Sequence, residues 1–271
     1  MPPGPRSRTR KLAVEEYGQG EPLVLLHGLG ATRAIWTRVV PPLSRGRRVV
    51  TLDLPGFGES EAAGPGFELG AVADRIARGL AAREVAGPFD LVGHSLGAGV
   101  ALTLAAVWPR RVRRLVLSAP AGFASYPQPA VRVLSAGLNQ VLAARRALAP
   151  LTDLAWGRRL LLANVAAEPA AMSPTQARFI VEASAGARRS SEALATIASA
   201  DLRPLLKRAA APLGLIWGER DRTVPVRLAQ VITAVRPDAE LELIDGVGHV
   251  GMVERPEAYA AALEAVLSRL R

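Results

Sequence analysis

Cysteine is absent from this 271-residue chain, which excludes disulfide bonds, a thiolate zinc site and a cysteine nucleophile. Long apolar runs are also missing, because the longest, from Leu96 to Trp108, falls short of the roughly 20 residues that span a bilayer. The basic, proline-rich N-terminus lacks the apolar run of a signal peptide. From these absences we expect a cytoplasmic protein that has no membrane partner.

Acidic residues are outnumbered, since 24 Asp and Glu stand against 34 Lys and Arg and the net charge is +10. Such an excess suits a nucleic acid or an anionic membrane. Here most arginines are scattered singly or in pairs, and no zinc-finger, helix-turn-helix or aromatic RNA-binding signature accompanies them. We therefore interpret the excess as solvated surface. The expected partner is a small-molecule substrate and no nucleic acid, and the expected assembly is a monomer or homodimer.

Apolar runs that are typical of strands alternate with helical stretches. Most of these runs are continuously apolar, which predicts a parallel sheet covered by helices on both faces. The predicted strands are Leu12–Tyr17, Pro22–Leu26, Arg48–Leu52, Phe89–Val92, Leu115–Ser118, Leu213–Trp217 and Ala239–Ile244. The predicted helices are Leu69–Arg83, Leu96–Val107, Pro225–Val235 and Pro256–Leu270. This alternation is typical of a doubly wound α/β fold, and the alternating polarity of the last strand favours a place near an edge.

The segment from about Gly122 to Ala210 breaks the alternation. It has no strong strand signal, it is rich in Ala, Leu and Arg at helical spacing, and several prolines punctuate it. Because it is too long for a loop in a compact domain, we interpret it as an all-helical insertion. The predicted domains are therefore a core of residues 1–121 and 211–271 and a helical insertion of residues 122–210.

Residues 93–97 read Gly-His-Ser-Leu-Gly between an apolar strand and a helix. In this context G-x-S-x-G is typical of a nucleophilic serine on a sharp, strained turn. Side chains at Gly93 and Gly97 would collide with the neighbouring chain at such a turn. The N-terminus of the following helix places a positive field and free amide groups beside a developing anion. Ser95 is therefore the predicted nucleophile.

A serine hydroxyl needs a base, and the chain contains only three histidines. His94 adjoins Ser95, and on so tight a turn its side chain should project away from the hydroxyl. His27 follows the first strong strand, whereas His249 follows the last strand and a glycine-rich loop. The chain order of serine, carboxylate and histidine favours His249 as the base.

The base needs a carboxylate that orients the imidazole and stabilises its charged form. Asp221 lies just beyond the strand Leu213–Trp217 and is the preferred candidate. Glu219, on the same loop, is its nearest competitor. Asp245 precedes His249 closely and is more typical of a turn residue.

Attack on a carbonyl creates an oxyanion that needs preorganised N–H donors. One predicted donor is the backbone N–H of Leu96, the residue after the nucleophile. The other is the backbone N–H of Leu29, in the segment His-Gly-Leu-Gly after the first strong strand. Glycines on both sides let this loop turn its amide inward.

Five segments, in this order, together resemble the α/β-hydrolase superfamily. They are LVLLHGLG (23–30), DLPGFGES (53–60), LVGHSLGA (91–98), WGERDRTVP (217–225) and GVGHVGMVERP (246–256). The resemblance implies a mostly parallel eight-stranded sheet flanked by helices, with Ser95, Asp221 and His249 as a catalytic triad. It also implies that residues 122–210, inserted after the sixth strand, form a helical cap over the site.

The chain departs from the family pattern at two places. Its N-terminal region offers one clear strand, Leu12–Tyr17, where the fold usually has two. The nucleophile is serine rather than aspartate, which argues against the haloalkane dehalogenase and epoxide hydrolase branches of the superfamily.

The predicted insertion is rich in Leu and Ala and has few acids, so we expect an apolar substrate pocket. The residues expected to line it are Phe123, Trp156, Met172, Phe179 and Val250. Such a pocket suits a small hydrophobic carboxylic ester or lactone, hydrolysed through an acyl-enzyme without a metal or other cofactor.

Arginines of the insertion, such as Arg158 or Arg178, suggest a different substrate, because a guanidinium pairs bidentately with a carboxylate. That would fit a carbon–carbon bond hydrolase of a vinylogous diketone, which the resemblance allows. It also allows a cofactor-free haloperoxidase or perhydrolase, or a non-catalytic ligand-binding protein on the same fold.

Overall fold

The computed structural model describes residues 11–124, 126–184 and 188–270. Within them seven strands form one sheet in the order β1-β3-β2-β4-β5-β6-β7. Every neighbouring pair is parallel except β1 and β3. The strands are β1 (Val14–Tyr17), β2 (Glu21–Leu26), β3 (Arg47–Leu52), β4 (Phe89–His94), β5 (Val112–Ser118), β6 (Leu213–Gly218) and β7 (Glu240–Ile244). The predicted α/β fold with a mostly parallel sheet is confirmed.

Eight strands were expected, and the described residues contain seven. Of these, only β1 precedes β2. The chain just before β1 bonds to the loop that follows β3. The N–H of Ala13 donates to Ser60 Oγ at 2.9 Å, and the carbonyl of Ala13 accepts from the N–H of Asp53 at 3.0 Å. A further strand would have to fall in residues 1–10, which lie outside the described residues.

Twelve α-helices occur in the described ranges. Those of the first half are α1 (Val40–Leu43), α2 (Leu69–Ala81), α3 (Leu96–Val107), α4 (Gln128–Ser135), α5 (Leu138–Ala147) and α6 (Ala155–Leu162). Those of the second half are α7 (Pro174–Ala183), α8 (Ser190–Ser199), α9 (Arg203–Arg208), α10 (Ala229–Thr233), α11 (Gly251–Glu254) and α12 (Pro256–Arg269). Short 3-10 helices cover Arg33–Trp36, Pro109–Arg111, Ala149–Asp153 and Val226–Leu228. None of the helices described is long and apolar enough to cross a membrane.

The sheet is buried on both faces, as the continuous apolar runs predicted. Along β2, Val24 and Leu26 pack into the core that contains α2 and α3, whereas Leu23 and Leu25 pack into the core that contains α1 and α12. Helix α3 is buried along almost its whole length. Strand β7 lies at the edge of the sheet, as its alternating sequence predicted. Along it the glutamates are half-buried, Leu241 and Leu243 are exposed, and Ile244 is buried.

Between β5 and β6 the described residues form helices α4 to α9 and the 3-10 helix Ala149–Asp153, with no strand. Part of this segment has a small apolar core of its own, which consists of Ala149, Leu162, Ala166, Ala177 and Val181. Helix α8 instead contributes Ala193 and Ile197 to the core around α3. The domain boundaries at residues 122 and 210 stay a prediction.

A buried carboxylate near the start of β4 collects several arginines. Asp90 accepts hydrogen bonds from Arg47 on β3 at 2.9 Å, and from Arg113 and Arg114 on β5 at 2.9 and 2.8 Å. Its side chain is fully buried, whereas the three arginine side chains are 16–27% exposed. Burial alone would raise the pKa of Asp90, but the hydrogen bonds from Arg113 and Arg114 outweigh it and hold the pKa below its usual value. Some of the arginine excess therefore links the central strands.

We expect Asp90→Asn to lower the free energy of unfolding by roughly 3 kcal/mol, because it leaves three partly buried guanidinium groups without their shared counter-charge. Urea unfolding at pH 7 measures this loss. Asp201→Asn is the matched control, since Asp201 pairs with Arg203 at the exposed surface and should matter little. Equal effects of the two substitutions would contradict the structural role of Asp90.

Candidate active site

Ser95 lies on a strained turn between β4 and α3. Its backbone angles are φ 53° and ψ −115°, a backbone conformation that residues other than glycine rarely adopt. A Cβ at Gly93 would approach the carbonyl oxygen of Gly97 to 2.3 Å, and a Cβ at Gly97 would approach that of His27 to 2.4 Å. The N–H of Ser95 donates to the carbonyl of Ser118 at 2.9 Å. Both glycines are therefore required for the turn to form.

His249 and Asp221 meet beside this turn. Nδ1 of His249 lies 2.7 Å from Oδ2 of Asp221, and both side chains are buried. The other carboxylate oxygen, Oδ1, accepts from the backbone N–H groups of Thr223 at 2.8 Å and Val224 at 2.9 Å, which fixes the carboxylate in place. With Nδ1–H donating to Asp221, the neutral imidazole carries its lone pair on Nε2, as a general base requires.

The competing carboxylates lie elsewhere. Glu219 and Asp245 are both exposed at the surface. The structure therefore brings together the two side chains that the sequence favoured, Asp221 and His249.

His94 has a role that its position in the sequence did not indicate. Its ring packs on that of His249 with 4.6 Å between centroids, and its Nε2–H donates to the carbonyl of His249 at 2.9 Å. Burial and the neighbouring His249 ring hold the pKa of His94 well below its usual value, so this side chain stays neutral. His94 therefore orients the loop that carries the candidate base.

The two predicted oxyanion donors lie on either side of the Ser95 turn. Leu96 is the first residue of α3, where backbone N–H groups have no acceptor within the helix. Leu29 lies in the loop after β2, and this loop runs against the turn, because a Cβ at Gly28 would lie 3.1 Å from that of Ser95. Leu29, Ser95 and Leu96 all line the same cavity.

The side chain of His27 fixes the loop of Leu29 through two hydrogen bonds to backbone groups. The N–H of Leu54 donates to Nε2 of His27 at 2.9 Å, so the proton of the neutral ring is on Nδ1, which donates to the carbonyl of Gly28 at 2.8 Å. The ring is fully buried, and this burial lowers its pKa to about 4. Protonation of Nε2 would break the bond to Leu54, so His27 serves this loop only as the neutral form.

We expect His27 to stay neutral and protonated on Nδ1 at pH 5.5, where an unperturbed imidazole is about nine-tenths charged. Because the unfolded chain binds this proton near pH 6.5 and the folded chain near pH 4, the free energy of unfolding should fall as the pH drops across that window. Two-bond ¹⁵N–¹H NMR spectra of the three histidines measure the tautomer, and His27→Gln assigns the signal. A titration midpoint near 6.5 would contradict the arrangement.

The chain between α6 and α7 is bonded to the loops of Asp221 and His249. The carbonyl of Val165 accepts from the N–H groups of His249 at 2.9 Å and Val250 at 3.2 Å. The hydroxyl of Thr223, two residues beyond Asp221, donates to the carbonyl of Asn164. The segment between β5 and β6 therefore helps to position the candidate base and its carboxylate.

Glu254 makes a second connection of this kind. Its carboxylate accepts from the N–H of Ala167 at 2.8 Å and from that of Gly248, the residue before His249, at 3.1 Å. Burial raises the pKa of Glu254, against the opposing effect of these backbone hydrogen bonds. Glu254 belongs to the sequence segment 246–256 that resembles the family pattern. Nothing in that segment indicated that its carboxylate would accept from the backbone of Ala167, between α6 and α7.

A cavity of about 360 Å³ opens over Ser95 and His249. Its walls come from the loop of Leu29, from the Ser95 turn, and from helices between β5 and β6. Most lining residues are apolar, and they include the predicted residues Phe179 and Val250.

Three other predicted lining residues lie away from this cavity. Phe123 is buried in the core around α3. Trp156 is 56% exposed at the surface, and Met172 packs against the small core of the helical segment. The expectation is corrected at these positions, because a large apolar side chain on a helix can face the surface or a neighbouring helix as well as a cavity.

The arginines singled out for a substrate carboxylate are also occupied elsewhere. Arg158 donates to the backbone carbonyls of Thr152 and Ala170, and Arg178 pairs with the carboxylate of Asp153 at the surface. The arginine that does line the cavity is Arg145, on α5. Among the residues that the structure describes, no three His, Asp or Glu side chains form a cluster suited to a metal ion.

Comparison with known proteins places this geometry in a family. A family model described as alpha/beta hydrolase fold matches residues 21–256. The chain is 32% identical over 260 residues to a pimeloyl-(acyl-carrier protein) methyl ester esterase of Aeromonas hydrophila subsp. hydrophila, with 93% of this chain and 98% of that protein covered. It is 31% identical over 255 residues to a 2-hydroxymuconate semialdehyde hydrolase of a Pseudomonas species, with 92% and 87% covered.

A solved structure of a thermophilic esterase from Thermogutta terrifontis has the same fold. It superposes with a TM-score of 0.78 at 24% sequence identity, with 95% of this chain and 93% of that chain covered. The family match extends over most of the chain and includes the turn of Ser95 and the loops of Asp221 and His249. This chain therefore belongs to the α/β-hydrolase fold family.

Proposed function

We propose that this protein is a serine hydrolase of carboxylic esters, with Ser95 as nucleophile. The observation that carries this proposal is the Asp221–His249 hydrogen bond beside a serine on a strained turn, with Ser95 and His249 opening into one apolar cavity. The names of the esterase and hydrolase relatives support hydrolase chemistry.

The mechanism follows from the positions of these groups. Ser95 attacks the ester carbonyl while Nε2 of His249 takes the hydroxyl proton, and Asp221 stabilises the imidazolium that forms. The amides of Leu29 and Leu96 bind the oxyanion. His249 then protonates the departing alcohol and activates the water that hydrolyses the acyl-enzyme. The net reaction yields one acid and one alcohol and regenerates Ser95.

The cavity supports a small, largely hydrophobic substrate. Its volume of about 360 Å³ lies at the lower end for small-molecule sites, and its walls are mostly Leu, Ile, Ala and Val. Helices between β5 and β6 form one side of it, which supports a role of residues 122–210 as a cap. A small carboxylic ester or lactone fits these walls.

Hydrolysis of a carbon–carbon bond in a vinylogous diketone is the second candidate. The similarity to a 2-hydroxymuconate semialdehyde hydrolase favours it, at 31% identity over most of both chains. In this reaction the hydrolase must protonate a carbon leaving group before acyl transfer, a step that ester hydrolysis does not need. Activity on a diketone substrate therefore distinguishes the two candidate functions.

We expect wild-type protein to hydrolyse at least one p-nitrophenyl ester or lactone in a panel that also contains a vinylogous diketone. Ser95→Ala should lower kcat/KM by roughly 10⁴-fold or more, and Asp221→Asn by a similar factor, because the amide favours the wrong imidazole tautomer. Asp245→Asn, a control on an exposed carboxylate near the same loops, should leave kcat/KM close to that of wild type.

If the protein turns over the diketone and none of the esters or lactones, its function is carbon–carbon bond hydrolysis rather than ester hydrolysis. Hydrolysis that survives Ser95→Ala would contradict the mechanism. Absence of any turnover, together with tight ligand binding, would instead show a non-catalytic binding protein.

A further inference from the structure

Arg145 places a positive charge in the wall of the catalytic cavity. The described residues that line this cavity include no Asp, Glu or Lys and no other Arg. Their polar members are a few hydroxyl groups and the two rings of His94 and His249. The cavity therefore has an excess positive charge beside a nucleophilic serine.

Arg145 faces the cavity because of its position on α5. Leu138, Leu142 and Arg145 follow one another at spacings of four and three residues, which places them on one face of the helix, and all three line the cavity. The same face covers the oxyanion loop, since a Cβ at Gly30 would lie 3.8 Å from Leu142 Cδ1. Arg145 lies one turn, about 5 Å, further along this face.

The guanidinium of Arg145 has no carboxylate partner within the part of the chain that the structure describes. It donates to one backbone carbonyl, that of Leu161 on α6. Burial lowers its pKa, although a guanidinium stays charged at neutral pH. Arg47, Arg113 and Arg114 differ in this respect, because these partly buried arginines share the carboxylate of Asp90.

A cation that is withdrawn from water without an anionic partner is costly, and its cost falls when a ligand supplies the anion. The guanidinium has five N–H donors in a planar fork, and only one of its nitrogen atoms is engaged by Leu161. The remaining donors match the two oxygens of a carboxylate.

We propose that Arg145 binds a free carboxylate of the substrate, so that the enzyme prefers esters that carry a second, ionised carboxyl group. The inference rests on the proposed ester hydrolysis at Ser95 and specifies its substrate class. The substrate would be either a half-ester of a dicarboxylic acid or an ester whose alcohol carries the carboxylate. In both cases the aliphatic part lies against the apolar walls, and the ionised end pairs with Arg145.

The test compares kcat/KM for p-nitrophenyl half-esters of dicarboxylic acids of increasing chain length with their neutral methyl-capped analogues. A second pair compares the acetate ester of 4-hydroxybenzoate with that of its methyl ester, which places the charge on the leaving group. Wild-type protein should prefer the charged member of at least one pair by roughly 10- to 100-fold. The pair that shows the preference tells which side of the ester bears the carboxylate.

Arg145→Met should abolish this preference, because kcat/KM falls much further on the charged esters than on the neutral ones, and Arg145→Lys should restore part of it. Arg146→Met is the matched control, because Arg146 is the next residue, is exposed, and loses the same charge. A binding measurement adds an independent readout. The free dicarboxylate should raise the thermal midpoint of wild-type protein and of Ser95→Ala, but not that of Arg145→Met.

No charge preference in wild-type protein, and no stabilisation by any dicarboxylate, would overturn the proposal. Equal losses on charged and neutral esters in Arg145→Met would also overturn it, since they indicate that Arg145 only ties α5 to α6. Failure of ester hydrolysis itself is seen separately, as absence of turnover on the neutral esters, and the thermal measurement still decides the role of Arg145 in that case.

Discussion

The strained turn at Ser95 is the constraint on which the rest of the site depends. A serine with φ 53° and ψ −115° persists only when surrounding structure holds it. Here the holding structure is the centre of the fold. The residue follows β4 in the middle of the sheet, and its N–H bonds to the end of β5. It precedes helix α3, which is buried along almost its whole length. Two glycine positions let backbone segments approach closely enough to close this turn.

Parallel strands then bring the other groups to the same end of the sheet. Asp221 follows β6, His249 follows β7, and Leu29 follows β2, so each lies beyond the carboxyl end of a strand. Ligand sites of open α/β sheets lie at this end, beyond the carboxyl ends of the strands. The final positions are set by hydrogen bonds that cross between elements. These bonds run from His94 to the backbone of His249, from the backbone of His249 to Val165, and from Gly248 to Glu254. The segment between β5 and β6 therefore helps to position His249, the candidate base.

The sequence predicted most of what local pattern controls. Strand polarity showed which faces are buried, and the glycines around Ser95 showed where the turn must lie. The pairing of Asp221 with His249 followed from chain order together with the strand ends. Contacts between distant elements were not accessible in this way. Trp156 and Met172 have helical spacing, but the pattern does not show which neighbour covers each face. For the same reason Arg158 and Arg178 were singled out, whereas Arg145 is the arginine that lines the cavity. The strand count depended on residues 1–10, which lie outside the described part of the chain.

The central claim is that Ser95 forms a covalent intermediate at this site. Reaction of the native protein with a fluorophosphonate, followed by intact-protein mass spectrometry and peptide mapping, tests it directly. The account predicts a single adduct, located on Ser95, that forms with wild-type protein and is lost in Ser95→Ala. An adduct that persists in Ser95→Ala, or wild-type protein that stays unlabelled, would contradict it.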